Sequence, residues 1–161
     1  MILATLCYVL DKRNNQTLML HRVKKKNDFH EGKWNGLGGK FDKGESPEEC
    51  VIREIKEESG LTIKEPSLHG FITFPNFDGK NDWHVFIYTA DNYNGKLIDS
   101  NEGNLEWIPN EKLLDLNLWD GDKIFLDWIF NKKPLSNTSK FFSAKFNYVK
   151  GKFKSYSVNF Y

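Results

Sequence analysis

The sequence has 161 residues, of which 28% are charged and 15% are aromatic, and its 23 lysines and arginines nearly balance its 22 aspartates and glutamates. This length supports a hydrophobic core, and we expect residues 1–161 to form a single domain. The near-zero net charge argues against a surface that binds duplex nucleic acid, but it is compatible with a small anionic ligand.

The first segment, MILATLCYVLD, is apolar but short, and it lacks a basic leading region. It alternates as a strand does, which favours neither a signal peptide nor a membrane span. Cys7 and Cys50 are too few and too far apart for a disulfide framework or a cysteine metal site. We therefore expect a cytoplasmic protein without a membrane partner.

In chain order, residues 4–11 and 17–23 predict two strands joined by the polar turn DKRNNQ. A helix is predicted over residues 47–59, because Ser46 suits the N-cap, Pro47 the first helical position and Glu49 the capping box. Gly60 is a typical end for this helix.

Further along, residues 68–74, 83–90 and 105–108 predict strands, and residues 121–130 a second helix. The segment NKKPLSNTSK is interpreted as a loop or a mobile segment. Residues 142–148 can pair through the turn VKGK with a last strand, in which Tyr156, Val158 and Phe160 alternate. Together these elements predict an α/β (α+β) fold with helices packed on the faces of a mixed β-sheet.

Three glutamates share one side of the first predicted helix, in the stretch REIKEESG. Glu54, Glu57 and Glu58 are spaced i, i+3 and i+4, so their side chains converge while Val51 and Ile55 face the core. A solvated acidic face is the plain structural alternative, because exposed like charges at this spacing repel each other only weakly.

The residues around these glutamates resemble the signature of the Nudix hydrolases. The match extends from GGKFDKGE through REIKEESGLTI and includes the aliphatic positions. The matching positions are Gly39, Glu45, Arg53, Glu54, Ile55, Glu57, Glu58, Gly60 and Leu61.

The resemblance implies a Nudix fold, in which a mixed sheet is sandwiched between helices (an α/β/α sandwich). It also implies that Glu54, Glu57 and Glu58 hold Mg²⁺ with the backbone carbonyl of Gly39, and that Mn²⁺ can substitute. Hard divalent cations do prefer carboxylate and carbonyl oxygens. Glu102, in the loop SNEGNLEW, resembles a distant glutamate that some family members add to the metal site, although a solvated loop carboxylate is an equal alternative.

Two further roles follow from the resemblance. Arg53 and Glu45 are expected to form an ion pair that fixes the glutamates, with an ordinary surface pair as the alternative. Glu57 and Glu58 are both candidates for the general base that takes a proton from the attacking water.

Other segments resemble the MutT-type 8-oxo-dGTP diphosphatases, notably KWNGLGGKF, GFITF, NEGNLEW and LWDGDKIFLDW. This similarity implies that Asn35 and Asp122 hydrogen-bond the purine edge and that Trp119 and Phe74 contact its faces. Lys40 is a candidate for a phosphate contact.

Two points of the pattern stay open. Some of these enzymes carry two adjacent aspartates, whereas Gly121 here separates Asp120 from Asp122. The lysine run in HRVKKK can steer a phosphate or can simply be solvated, and the latter is favoured.

His21, His30, His69 and His84 fit no metal spacing and are interpreted as structural or surface residues.

The expected activity is Mg²⁺-dependent hydrolysis of 8-oxo-dGTP to 8-oxo-dGMP and pyrophosphate, a nucleotide-pool sanitation that avoids mutation and serves DNA repair. One alternative keeps the chemistry but takes a dinucleoside polyphosphate, an ADP-sugar or a capped RNA. Another is a nucleotide-sensing module without catalysis, which is disfavoured because every signature glutamate is present. The expected partner is a small nucleotide, and the expected state is a monomer or a weak dimer.

Overall fold

A mixed β-sheet of eight strands forms the centre of the computed structural model, which describes residues 1–130 and 141–161. The predicted loop NKKPLSNTSK lies outside the described residues. Most elements are strands, and their bounds are β1 (Ile2–Asp11), β2 (Gln16–His21), β3 (Trp34–Asn35), β4 (Thr62–Lys64), β5 (Ser67–Phe74), β6 (Trp83–Ala90), β7 (Asn92–Asn94), β8 (Asn104–Pro109), β9 (Phe142–Val149) and β10 (Lys152–Phe160). The helices are α1 (Pro47–Ser59) and α2 (Asp120–Phe130), and a 3₁₀ helix spans Asn110–Asp115.

The sheet combines parallel and antiparallel pairs, as predicted. Its order is β10-β9-β5-β6-β1-β2-β3, with β8 also paired to β2. The β1–β6 and β5–β9 pairs are parallel, whereas the other pairs in this sheet are antiparallel. Strands β4 and β7 form a separate two-stranded sheet.

Alternating side chains of the central strands face two different hydrophobic cores. On β1, Tyr8 belongs to one core, while its neighbours Cys7 and Val9 belong to the other. The first core contains Phe125 of α2, and the second contains Ile55 of α1. Because strand residues alternate between the faces of a sheet, the two helices must cover opposite faces. The predicted α/β/α sandwich is therefore confirmed.

Helix α1 has the boundaries that the sequence predicts. The Ser46 side chain accepts a hydrogen bond from the Glu49 amide, and the Glu49 carboxylate accepts one from the Ser46 amide, which completes the capping box. Gly60 ends the helix in the left-handed conformation, with φ of 81°. Cys50, Val51 and Ile55 are buried beneath the helix, and both cysteines are free.

Several short elements and strand ends differ from the predictions. Strand β1 begins at Ile2 because its first residues pair with the start of β6. Strand β2 ends at His21 because the amide of the next residue, Arg22, donates its hydrogen bond to the carbonyl of Lys33. Strands β3, β4 and β7 and the 3₁₀ helix were not predicted, since elements of this length leave no periodic pattern. In the described part of the chain, no helix is long and apolar enough to cross a membrane.

Candidate active site

The glycine segment before α1 is held against strand β1 by backbone hydrogen bonds. Cys7 and Leu37 exchange two such bonds, of 2.6 and 2.9 Å, and the Thr5 amide donates to the Gly39 carbonyl at 2.9 Å. A Cβ atom added at Gly39 would lie 2.4 Å from the carboxyl carbon of Glu54. A side chain at position 39 would therefore displace the Glu54 carboxylate from its present place.

Arg53 connects the loop after Gly39 to helix α1. Its guanidinium makes a two-pronged contact with Glu45, at 2.5 and 2.9 Å, and donates to the Lys40 carbonyl at 3.0 Å. Its remaining nitrogen contacts Glu54 at 2.7 Å and Glu57 at 3.2 Å. The hydrogen bond from Arg53 lowers the pKa of Glu45 to about 2. The expected ion pair is thus present, and it also fixes two of the glutamates.

The three glutamates lie in different surroundings. The Glu57 side chain is 59% exposed, whereas that of Glu54 is only 15% exposed. Glu58 accepts a hydrogen bond of 2.9 Å from the Gly38 amide. The pKa of Glu58 is raised to about 8, chiefly by burial; the hydrogen bond from Gly38 opposes this rise, and the charges of Glu54 and Glu102 add to it. Burial also raises the pKa of Glu54. A negative charge at this place is therefore unfavourable unless a cation compensates it.

A cavity of about 610 Å³ opens beside these glutamates. Its lining includes Gly39, Glu54, Glu58 and Glu102, together with the cationic side chains of Arg22, Lys25 and Lys40. Glu102 forms ion pairs with Lys25 at 2.6 Å and with Arg22 at 3.3 Å. Lys24, by contrast, pairs with Asp99 outside the cavity. The lysine run predicted to be solvated therefore contributes one lysine to the site.

Glu57 does not line this cavity, nor do Arg53, Glu45 and Gly60. Among residues 1–130 and 141–161, no three acidic, histidine or cysteine side chains are arranged as a ready metal site. One guanidinium nitrogen of Arg53 contacts both Glu54, at 2.7 Å, and Glu57, at 3.2 Å. The predicted convergence is thus realised for Glu54 and Glu58, while Glu57 faces its arginine partner.

The residue chemistry nevertheless fits a divalent cation. The cavity brings together carboxyl groups with raised pKa values and the backbone of Gly39, which lies close to the Glu54 carboxylate. Mg²⁺ prefers oxygen ligands of this kind. Glu54, Glu58, Glu102 and the Gly39 carbonyl can hold such an ion, whereas Glu57 contacts Arg53 outside the cavity wall.

The predicted base-binding residues line the same cavity. Asn35, Phe74, Trp119 and Asp122 all belong to its wall, and so does Lys40. Phe74 and Trp119 are only 9% and 8% exposed, because both pack into an aromatic cluster. The nitrogen of Lys40 lies 5.2 Å from the ring centre of Trp83, in a cation–π contact.

The structure distinguishes the two aspartates at the start of α2. Asp122 is 6% exposed and lines the cavity, whereas Asp120 is exposed and does not. Burial raises the pKa of Asp122 to about 7, although the charge of Lys33 opposes this change. Of the two, Asp122 is therefore the residue placed to meet a ligand in the cavity.

Other residues of the wall were not predicted. Phe29, His30, Phe77 and Tyr148 surround Trp119, and the Phe29 ring stacks on it at a centroid distance of 5.3 Å. Phe29 and Phe77 lie in loops, and Tyr148 comes from the far end of the chain. No local pattern marks such residues, because the tertiary fold alone brings them together.

Comparisons with known proteins agree with this geometry. The family model described as the NUDIX domain matches residues 2–129. The chain is 37% identical over 118 residues to the oxidized purine nucleoside triphosphate hydrolase of Danio rerio, covering 73% of this chain and 75% of the relative. It is 34% identical over 119 residues to the uncharacterized Nudix hydrolase YvcI of Bacillus subtilis, covering 71% and 75%.

A solved structure extends the likeness to nearly the whole chain. The crystal structure of the mutator MutT protein from Bacillus halodurans superposes with a TM-score of 0.80 at 31% sequence identity. The superposition covers 99% of this chain and 98% of the other. From the family match, the relatives and the carboxylate helix at the cavity, we conclude that the chain belongs to the Nudix hydrolase family.

Proposed function

We propose that the protein is a Mg²⁺-dependent 8-oxo-dGTP diphosphatase that releases 8-oxo-dGMP and pyrophosphate. One observation carries the proposal: a single cavity is lined both by Glu54 and Glu58 of α1 and by Asn35, Trp119 and the buried Asp122. The chain's similarity to the oxidized purine nucleoside triphosphate hydrolase of Danio rerio and to the mutator MutT protein of Bacillus halodurans supports it. We further propose one domain, acting in the cytoplasm on a small nucleotide.

In the proposed reaction, water adds to one of the two phosphorus atoms joined by the α–β bridging oxygen. The P–O bond between that phosphorus and the bridging oxygen breaks, which gives 8-oxo-dGMP and pyrophosphate. Mg²⁺, or Mn²⁺ in its place, supplies neutralisation of the phosphate charge and a lowered pKa of bound water. Glu57 or Glu58 would take a proton from the attacking water. Arg22, Lys25 and Lys40 bring positive charge to the same wall, where they can contact phosphate oxygens.

The proposed base selection depends on polar groups in an aromatic surrounding. The amide of Asn35 can both donate and accept, and a buried Asp122 with a pKa of about 7 can do the same when it is protonated. An oxidised guanine differs from guanine in the donors and acceptors of its edge. A wrong base would leave these buried groups unpaired, which discriminates strongly.

The test is pyrophosphate release with Mg²⁺ from 8-oxo-dGTP and from dGTP at limiting concentration. We expect kcat/KM to favour the oxidised base by about tenfold or more. Asn35→Ala should reduce this ratio, whereas Asn92→Ala, at an exposed position outside the cavity, should leave it unchanged. Equal rates on both nucleotides would contradict the proposal and direct the search to dinucleoside polyphosphates, ADP-sugars and capped RNA.

A further inference from the structure

A chain of polar contacts connects the aromatic wall of the cavity to the carboxylate wall. It begins at Trp119, passes through His30 and Asp28 to Arg22, and ends at Glu102. All of these residues line the cavity. The proposed metal chemistry and base contacts do not by themselves require His30 or Asp28, so their arrangement needs another explanation.

The first contact fixes the plane of an indole ring. The Nε1–H of Trp119 donates to Nδ1 of His30 at 2.9 Å, and the two rings meet at 86°. An indole nitrogen can only donate, so Nδ1 of His30 must be the unprotonated acceptor and the neutral ring carries its proton on Nε2. This hydrogen bond restricts rotation of the Trp119 ring about its side-chain torsion angles.

The loop that carries His30 is itself held firmly. Asp28 accepts from Nε of Arg22 at 2.8 Å and from the His30 amide at 3.3 Å. The carbonyl of Arg22 accepts from the Gly32 amide at 2.7 Å. The side chains of Arg22 and Asp28 are only 17% and 12% exposed, so this ion pair is shielded from solvent. His30 therefore presents Nδ1 from a rigid support.

Arg22 also reaches the other wall. The nitrogen that contacts Asp28 at 2.7 Å lies 3.3 Å from Glu102. Asp28 and Glu102 share the guanidinium of Arg22. A change in the charge or position of Glu102 can therefore alter the contact between Arg22 and Asp28, and with it the position of the loop that carries His30. The cavity has a direct physical link between the side proposed for phosphate and the side proposed for the base.

We infer that His30 is a positioning residue for base recognition, which fixes Trp119 through its Nδ1 atom and is supported by the Asp28–Arg22 ion pair. This inference rests on the proposed function, in which Trp119 contacts the base. His30 acts through Trp119, so its loss weakens nucleotide binding and leaves the hydrolytic step intact.

The first experiment observes Trp119 directly, without substrate or metal. The indole N–H resonance of Trp119, assigned with Trp119→Phe, is followed in His30→Leu and His30→Asn. We expect faster hydrogen exchange of this proton, by about tenfold or more, in His30→Leu, since its acceptor is lost. In His30→Asn the side-chain oxygen can replace Nδ1 and should restore slow exchange.

A matched control is His69→Leu. His69 is another partly buried histidine, with a hydrogen bond of 2.7 Å to Thr89, but it does not line the cavity. Its replacement should leave the Trp119 resonance unchanged. An unchanged resonance in His30→Leu, or an equal change in His69→Leu, would overturn the inference.

The second experiment separates binding from chemistry. In His30→Leu, KM for the nucleotide that wild type prefers should rise about fivefold to tenfold, with kcat within about twofold. A fall in kcat at unchanged KM would contradict a positioning role at the base. If wild type does not distinguish oxidised from normal guanine, the proposed function fails, while the indole measurement still decides whether His30 fixes Trp119.

Discussion

At the scale of single residues, the glutamates of α1 show how one sequence spacing yields three environments. Glu58 is held by the Gly38 amide and has a raised pKa, Glu54 lies against Gly39, and the Glu57 side chain is mostly exposed beside Arg53. Their chemical roles must therefore differ. An exposed carboxylate can be replaced without disturbing the core, which makes Glu57 the informative position.

Replacing Glu57 by glutamine tests the carboxylate site. The amide keeps the shape but loses the negative charge, so it can neither hold a divalent cation well nor take a proton. We expect kcat to fall by about 10²-fold or more while the melting temperature stays within about 2 °C of wild type.

Steady-state kinetics and thermal unfolding followed by circular dichroism measure the two quantities. Glu48→Gln, at an exposed position of the same helix, is the control and should retain full activity. Retained turnover in Glu57→Gln would show that the metal and proton-transfer roles lie elsewhere.

At the scale of elements, the site depends on how a glycine-rich loop is fastened to a helix. The capping box and Gly60 define α1 locally, but Arg53 determines where the preceding loop lies, because it binds both Glu45 and the carbonyl of Lys40. A planar guanidinium can donate hydrogen bonds to Glu45, the Lys40 carbonyl and Glu54 at the same time. An ammonium group cannot reproduce this geometry.

Arg53→Lys should therefore impair the site more than the fold. We expect catalytic efficiency to fall by about 10-fold to 100-fold and the apparent affinity for Mg²⁺ to weaken, since the glutamates lose their support. The measurement is kcat/KM over a Mg²⁺ titration, together with a thermal melt.

Arg13→Lys, on the exposed turn between β1 and β2, is the matched control. A Mg²⁺ dependence in Arg53→Lys equal to that of Arg13→Lys would be the contrary result.

At the scale of the whole molecule, the fold stabilises a carboxyl group inside an aromatic core. Asp122 is buried near the start of α2, where its amide donates to the Trp119 carbonyl at 3.0 Å, and the neighbouring Gly121 lies against Phe146 and Tyr148. Burial raises its pKa from 3.8 to about 7. Between these two pH values the folded protein binds a proton that the unfolded chain has released. The free energy of unfolding must therefore decrease as pH rises through this window and become level above it.

Asp122→Asn removes this titration. The free energy of unfolding of wild type, relative to the variant, should decrease by roughly 2 kcal/mol between about pH 5 and about pH 8. Urea denaturation at several pH values measures the difference.

Asp120→Asn, at an exposed position of the same helix, should follow wild type at every pH. A constant difference between wild type and Asp122→Asn would mean that Asp122 keeps its ordinary pKa.

Much of the architecture followed from local patterns. Alternation predicted the long strands, and the capping residues around α1 predicted its ends to the residue. The two-residue strand β3 and the three-residue strands β4 and β7 were not predicted, because strands this short show no alternation in the sequence. The sandwich itself could be expected, since helices with one apolar face must cover a sheet.

The sequence by itself determined the family and the carboxylate helix, since helical periodicity and the spacing from Gly39 to Gly60 are local properties. Only the tertiary structure decided that Asp122 rather than Asp120 enters the cavity, that Glu57 faces Arg53, and that His30 meets Trp119. These outcomes depend on contacts between distant segments. The packing of the whole chain determines which residues are buried and which distant groups form hydrogen bonds. Local spacing in the sequence does not predict that packing.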